Sequence, residues 1–287
     1  MRKIMAVCVL TLLTNMALAA PPLNILLTND DGYLAPGIQA LRASLLEAGH
    51  NVFLIAPATN QSGSGTSITS QGVAYTSHGN QVWSVAGRPA DAVRLGIGHI
   101  LQDNPPDIVL SGINFGQNVG QDVVVSGTIG AAVTAVQLGF PAMAASAEIN
   151  FDEAATGFPS TLTTFPWAAA VITDLIQDPR TRLQDSFLNL NFPTQKTPKG
   201  FKPTKLAASS ILSVDFQELE DGLWRAGYQM DPDDEPNADR PLLAKGYITV
   251  THLAISYEPL DIQTVDLSWI ESAAIDPKAG QASPIAP

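Results

Sequence analysis

The chain has 287 residues, of which 45% are hydrophobic and 15% charged, with 27 acidic against 15 basic side chains. That composition allows a sizeable globular core, while a formal net charge of −12 disfavours DNA or RNA polymers, whose phosphates need a basic face. A single cysteine, Cys8, excludes a disulfide framework and a thiolate zinc site.

Residues 1–19 read as a secretory signal. Arg2 and Lys3 precede a mostly apolar run, and Ala17-Leu18-Ala19 fits the small-residue rule for cleavage after Ala19. The run is too short for a stable membrane span, so the mature chain is expected to be periplasmic or secreted, with no membrane contact after cleavage. Removing these residues also removes Cys8 and leaves 13 basic against 27 acidic residues, a formal charge of −14.

Beyond the signal, "NILLT" (24–28) and "NVFLIAP" (51–57) are apolar runs flanked by turn residues, as strands are. Between them Ile38, Leu41, Leu45 and Leu46 recur at helical spacing, with Pro36 near the start and Gly49 past the end. A strand–helix–strand unit with fully apolar strands predicts a parallel sheet covered on both faces. "VAYTS" and "QVWSV" around His78-Gly79-Asn80 predict a hairpin, and "ADAVRLGIGHIL" a helix in which His99 is structural. "PDIVLSG", "PAMAAS" and "SFLNLNFP" follow as strands, with helices over "GTIGAAVTAVQLG" and around "FPWAAAVITDLIQ".

After residue 195 the character changes. A Pro/Lys-rich connection leads to "SVDFQELEDGLWRAGYQM", a hairpin pattern around Asp221-Gly222. An acidic, proline-rich loop (231–241) and one more strand, "KGYITVTHLAIS", complete it. The chain therefore divides into an α/β core over 20–195, a hairpin and oligomerisation region over 196–272, and a tail over 273–287 expected to be disordered.

In open α/β sheets ligands bind beyond the carboxyl ends of the strands. Three such segments carry unusual chemistry: "TNDDG" after the first strand, "APATNQSGSGTS" after the second, and "SGINFGQNVGQDVVVSGTIGAA" after "DIVL". Together they bring Asp30, Asp31, Ser62 and Asn114 to one sheet edge. Two carboxylates with neutral oxygen donors suit one hard divalent cation, Mg²⁺, Mn²⁺ or Ca²⁺. Ser126, Gly127 and Thr128 place two hydroxyls and backbone amides where a helix begins, a cradle for phosphate, and Asn118 and Gly120 are placed to complete the pocket. Each piece also has an ordinary structural use. Asp-Asp-Gly makes turns, Ser126 or Thr128 makes an N-cap, and Asn114 can satisfy backbone groups. Their joint occurrence at successive strand ends favours a site. Phe115, beside Asn114, packs in the core or stacks on a base. The four histidines show no metal-ligand spacing.

On "ILLTNDDG…APGI", "APATNQSGSGTSIT", "GRPADAVRLGI", "PDIVLSGINFGQNVGQDVVVSGTIGAA" and "LNLNFP", the chain resembles the SurE family of survival-protein nucleotidases, from about Asn24 to Leu253. The resemblance implies a Rossmann-like three-layer α/β/α fold with a mostly parallel sheet and a C-terminal antiparallel hairpin extension. It also implies a homodimer or homotetramer, and metal-dependent hydrolysis of nucleoside 5′- or 3′-monophosphates. By that resemblance Asp30, Asp31, Ser62 and Asn114 hold the metal, and Asn118, Ser126, Gly127 and Thr128 hold the phosphate. Two positions depart from the family pattern. Arg88 replaces a usual threonine, and Gln61 stands where a basic residue is common. Either the positive charge has moved to Arg88, or Arg88 is a surface residue.

The expected reaction is attack of water on a phosphate monoester, with Asp30 taking the water's proton, a role the sequence does not separate from that of Asp31. Two rivals use the same scaffold: a broad-specificity exported acid phosphatase, and a non-catalytic periplasmic ligand-binding protein. A nicotinamide enzyme is excluded, since no G-x-G-x-x-G follows the first strand.

Overall fold

The computed structural model describes residues 21–195, 197–228 and 235–255; the expected signal and tail lie outside them. The first unit forms as its pattern predicts, with β1 (Asn24–Thr28), α1 (Pro36–Glu47) and β2 (Asn51–Pro57). Pro36 opens α1, where a missing N–H costs nothing, and Gly49 ends it at a φ of +86°.

The next hairpin pairs β3 (Ala74–Gly79) with β4 (Val82–Ala86). Its turn falls on Asn80 and Gln81, both at positive φ, later than the expected His78-Gly79-Asn80. Helix α2 (Pro89–Leu95) is shorter than its apolar pattern and widens into a π turn over Gly96–Ile100. His99 is therefore not a residue of an apolar helix. It is exposed, with Nε2 3.1 Å from the Tyr75 hydroxyl.

The chain continues through β5 (Ile108–Phe115), α3 (Gly127–Gln137), β6 (Ala142–Ala147), α4 (Pro159–Leu175) and β7 (Ser186–Phe192). Beyond residue 195 come β8 (Phe201–Thr204), the hairpin strands β9 (Leu212–Glu220) and β10 (Leu223–Tyr228), α5 (Asp239–Ala244) and β11 (Ile248–Ala254). Strand β8 arises within the Pro/Lys-rich connection. Helix α5 begins inside the stretch read as an acidic loop, because Asp239 accepts hydrogen bonds that fix its start.

The main sheet has nine strands in the order β3-β4-β2-β1-β5-β6-β7-β11-β8. From β4 to β7 every neighbour is parallel, whereas β3 and β11 run antiparallel to β4 and β7. Strands β9 and β10 form a separate antiparallel pair. Alternation along β1 splits the core. Ile25 and Leu27 pack with Ile38, Leu41, Phe165 and Ile172 of α1 and α4, while Leu26 packs with Val93, Ile129 and Ala132 of α2 and α3. The architecture is thus a three-layer α/β/α sandwich, and the carboxyl ends of β1, β2 and β5 share one edge. Among the described residues, no helix is long and apolar enough to cross a membrane.

Candidate active site

At that edge the chain after β1 is held as a tight turn. Asn29 accepts the Gly32 amide at 3.2 Å and returns Nδ2 to the Gly32 carbonyl at 3.0 Å. The turn turns Asp30 inward, where it is 3% exposed and its Oδ1 accepts the Thr128 hydroxyl at 2.6 Å. Burial pushes the Asp30 carboxyl above the usual range, opposed by the Thr128 hydroxyl and the backbone around it. Asp31 faces β5, where Oδ2 accepts the Phe115 amide at 2.8 Å. Burial, and then the charge of Asp30, push Asp31 up to about 6 against the pull of that amide. A site that resists two adjacent negative charges is one a cation would neutralise.

The hydroxyl-rich loop after β2 docks on the same corner. Gln61 donates its amide to the Asp30 carbonyl at 2.7 Å, which brings the exposed Ser62 beside the first aspartate. Glycine makes the approach of this loop to α3 possible. A Cβ on Gly130 would lie 1.9 Å from the Gly65 carbonyl oxygen, and one on Gly127 would lie 2.6 Å from Ser64 Oγ and 2.7 Å from Asp30 Cβ. At its far end the loop is braced by Arg88, whose Nη1 donates to the Ile68 carbonyl at 2.9 Å, and by Asp91, which accepts the Thr69 amide and hydroxyl.

On the other side, Asn114 donates Nδ2 to the Gly116 carbonyl at 2.7 Å, leaving Oδ1 as its acceptor. Ser126 is the N-cap of α3, with Oγ accepting the Ile129 amide at 3.1 Å. Asp30, Asp31, Gly127 and Thr128 therefore make one contact group, with Asn114 and Ser62 on segments bonded directly to it. Asn118 is tied to β6 and β7. Its amide donates to Asn191 Oδ1, its carbonyl accepts from Asn189 and Asn191, and its Nδ2 donates to Ser146 Oγ at 2.8 Å. Gly120 faces a different partner: its amide donates to the buried Asp239 at 3.0 Å, and a Cβ there would meet the Arg240 guanidinium. Phe115 packs, with its ring 5.5 Å from Phe158 and 6.0 Å from Phe165.

The donor set fits a hard cation. Among the described residues no three His, Cys, Asp or Glu side chains converge, so an ion here relies on the two carboxylates plus the neutral oxygens of Asn114 and Ser62. The buried hydroxyls of Thr28, Ser64 and Ser111 lack hydrogen-bond partners, which makes this end of the sheet unusually polar. The histidines are engaged elsewhere. His50 accepts the Leu23 amide, while His78 and His252 meet Ser84 and Ser186.

Sequence reasoning missed Asn29, Ser64, Asp239 and the Asn189–Asn191 pair. The pair did leave a signal, since two asparagines within the apolar "LNLNF" must find partners when buried.

A doubly wound α/β fold with carboxylates, hydroxyls and a helix amino end at one strand edge defines a protein that handles a small phosphorylated ligand. Over residues 25–212 the chain matches the family described as Survival protein SurE. It is 38% identical over 241 residues to the 5′-nucleotidase SurE of Desulfitobacterium hafniense (strain DSM 10664 / DCB-2), covering 80% of this chain and 90% of that one. It is 36% identical over 266 residues to the 5′-nucleotidase SurE of Solidesulfovibrio magneticus, covering 88% and 96%. The crystal structure of the SurE protein from Aquifex aeolicus superposes with a TM-score of 0.70 at 30% identity, covering 86% of this chain and 99% of that one. The chain belongs to the SurE family.

Proposed function

We propose that the protein is a phosphoric monoester hydrolase that uses one divalent cation, Mg²⁺, Mn²⁺ or Ca²⁺, to convert nucleoside 5′- or 3′-monophosphates into nucleoside and phosphate. The observation that carries this reading is the pairing of buried Asp30 with partly buried Asp31, both carboxyls raised, with Asp30 set against the amino end of α3. Asp30, Asp31, Ser62 and Asn114 would hold the cation, which supplies charge stabilisation at the phosphoryl oxygens and activation of water.

The chain's own groups do the rest. Thr128 and the Phe115 amide fix the two carboxylates in orientations from which they take the proton of the attacking water. The first amides of α3 are taken by Asp30 and Ser126, so the phosphate would meet the hydroxyl of Ser126 at a helix end whose dipole favours its charge. Asn118, held by Asn189 and Asn191 and with one N–H of Nδ2 on Ser146, would offer the other N–H of Nδ2 to the equatorial oxygens.

The test is phosphate release from AMP, 3′-AMP and p-nitrophenyl phosphate, with and without EDTA. Nucleotide turnover abolished by EDTA and restored by Mn²⁺ is expected. Equal turnover of all three substrates would instead favour the broad-specificity phosphatase. Loss of none of it on chelation would sink the metal.

Two further parts of the proposal concern context. Export with cleavage after Ala19 follows from Arg2, Lys3 and the Ala17-x-Ala19 pattern. An intact mass that retains Met1 in the exported fraction would overturn it. A homodimer or homotetramer follows from the β9–β10 hairpin, where Phe216 and Trp224 are 60% and 55% exposed.

A further inference from the structure

A cavity of about 330 Å³ opens at the same edge of the sheet, lined by Glu148, Asn150, Phe151, Asp152, Thr194 and Gln195 among others. None of the residues named for the chemistry borders it. Its place follows from the sheet register. The Phe115 amide holds Asp31, Phe115 lies opposite Ala147 on β6, and Glu148 is the next residue. The cavity therefore starts two interstrand spacings, roughly 10 Å, from the strand that carries the aspartates. The segments between are tied together, with the Gly116 amide on the Ala147 carbonyl at 3.0 Å and the Ile149 amide on Gln117 Oε1 at 2.9 Å.

Its chemistry is opposite to that of a phosphate site. The lining holds two carboxylates and no lysine or arginine, so it repels phosphate and accepts O–H and N–H donors. Glu148 is fixed there. Its Oε2 accepts the Thr194 amide at 3.0 Å and the Thr194 hydroxyl at 3.1 Å, which holds the carboxylate in the lining. Phe151, 39% exposed, adds an aromatic ring to the lining.

We propose that this cavity is the nucleoside subsite, taking the sugar hydroxyls and base of a nucleoside monophosphate whose phosphate lies at Asp30 and Asp31. This rests on the nucleotidase reading above. Glu148 and Asp152 accept from the sugar and base donors, Phe151 stacks on the base, and the acidic lining orients the substrate by excluding its phosphate.

The experiment compares AMP with p-nitrophenyl phosphate in steady-state kinetics of the mature chain and its Phe151→Ala, Glu148→Gln and Asp152→Asn variants. KM for AMP is expected to rise roughly tenfold in Phe151→Ala and Glu148→Gln, and less in Asp152→Asn, with p-nitrophenyl phosphate turnover within about twofold of the parent. A purely structural role for Glu148 would depress both substrates together, and that result overturns the subsite for Glu148. Should Glu148→Gln fail to fold, the surface variants Phe151→Ala and Asp152→Asn decide alone. Unchanged AMP kinetics in both overturns the proposal. A parent enzyme that hydrolyses p-nitrophenyl phosphate but not AMP sinks the nucleotidase reading itself, a result separable from any variant.

Discussion

Two regions invert the usual distribution of residues, and in opposite directions. Where β1, the loop after β2 and α3 meet, charge is buried: Asp30 is almost fully enclosed beside a partly buried Asp31. On the β9–β10 hairpin, large apolar side chains stand in solvent: Leu212, Phe216, Leu219, Leu223 and Trp224 are all exposed. Buried carboxylates without cations and exposed aromatics without cover are both costly in an isolated chain. Under the function proposed above, an ion and phosphate would offset the first cost and a second protein surface the second. The contrast also separates rigid from adaptable construction. The corner is packed glycine to carbonyl with no room for a methyl group, whereas the hairpin is a two-stranded ribbon held mainly by its own pairing.

The largest effect is expected at the corner. Asp31→Asn should cut phosphate release from AMP by more than about 100-fold, beyond what loss of an outer partner does to a metal site. It should also erase most of the rise in melting temperature that Mn²⁺ produces, since a ligand stabilises only what it binds. Retention of both would reduce the aspartate pair to a turn and end the comparison.

Packing comes next. Gly130→Ala sets a methyl group against the Gly65 carbonyl, and chemical denaturation should show a loss of about 3 kcal/mol. Gly98→Ala, where a methyl group meets nothing within 4 Å, is the control and should stay within about 0.5 kcal/mol. Equal behaviour of the two would mean that the loop is not pressed onto α3.

The hairpin is tested by the double variant Phe216→Ser/Trp224→Ser. Light scattering at micromolar concentration should shift toward monomer, while circular dichroism of the α/β core stays as in the parent. An unchanged oligomer would place the interface elsewhere.

The smallest effect is on the pH dependence of the metal-free protein. Asp31 stands at about 6 when folded against 3.8 as the ordinary value, so the folded state holds the proton more tightly. The stability this contributes is fully present below pH 3.8 and is lost as pH rises through about 6. Urea midpoints of the EDTA-treated parent should fall across that window, and those of Asp31→Asn should fall less. Identical slopes would mean that Asp31 does not titrate as placed.

Much of the fold was legible because it is written in local pattern. Apolar runs of strand length, helical spacing over 38–46 and the Pro36/Gly49 punctuation mark β1, α1 and β2 at their observed places. The hairpin around Asp221-Gly222 was equally plain. The motif residues Asp30, Asp31, Gly127 and Thr128 announced a site because strand ends are where such sheets bind ligands.

What local pattern does not contain is which distant groups meet. Strand β8 lies in a Pro/Lys-rich stretch with no strand signal of its own, and it exists because β11 offers an open edge for pairing. Strand β11 looked like part of the C-terminal extension, yet it pairs with β7 in the main sheet. Helix α2 gives way to a π turn at Gly96, where a Cβ would lie 2.5 Å from Leu26 Cδ1 of the sheet beneath. Asn118 is tied to Ser146 on β6 and to Asn189 and Asn191 on β7, partners that no local pattern names. The sequence by itself determined the residue types at each strand end and the period of each element, because those depend on neighbours within a turn or two. Tertiary structure alone decided the strand order, the Asp239 anchor of Gly120 and the cavity at Glu148. These depend on pairings across tens of residues, where burial forces each polar group to find whatever partner the sheet brings to it.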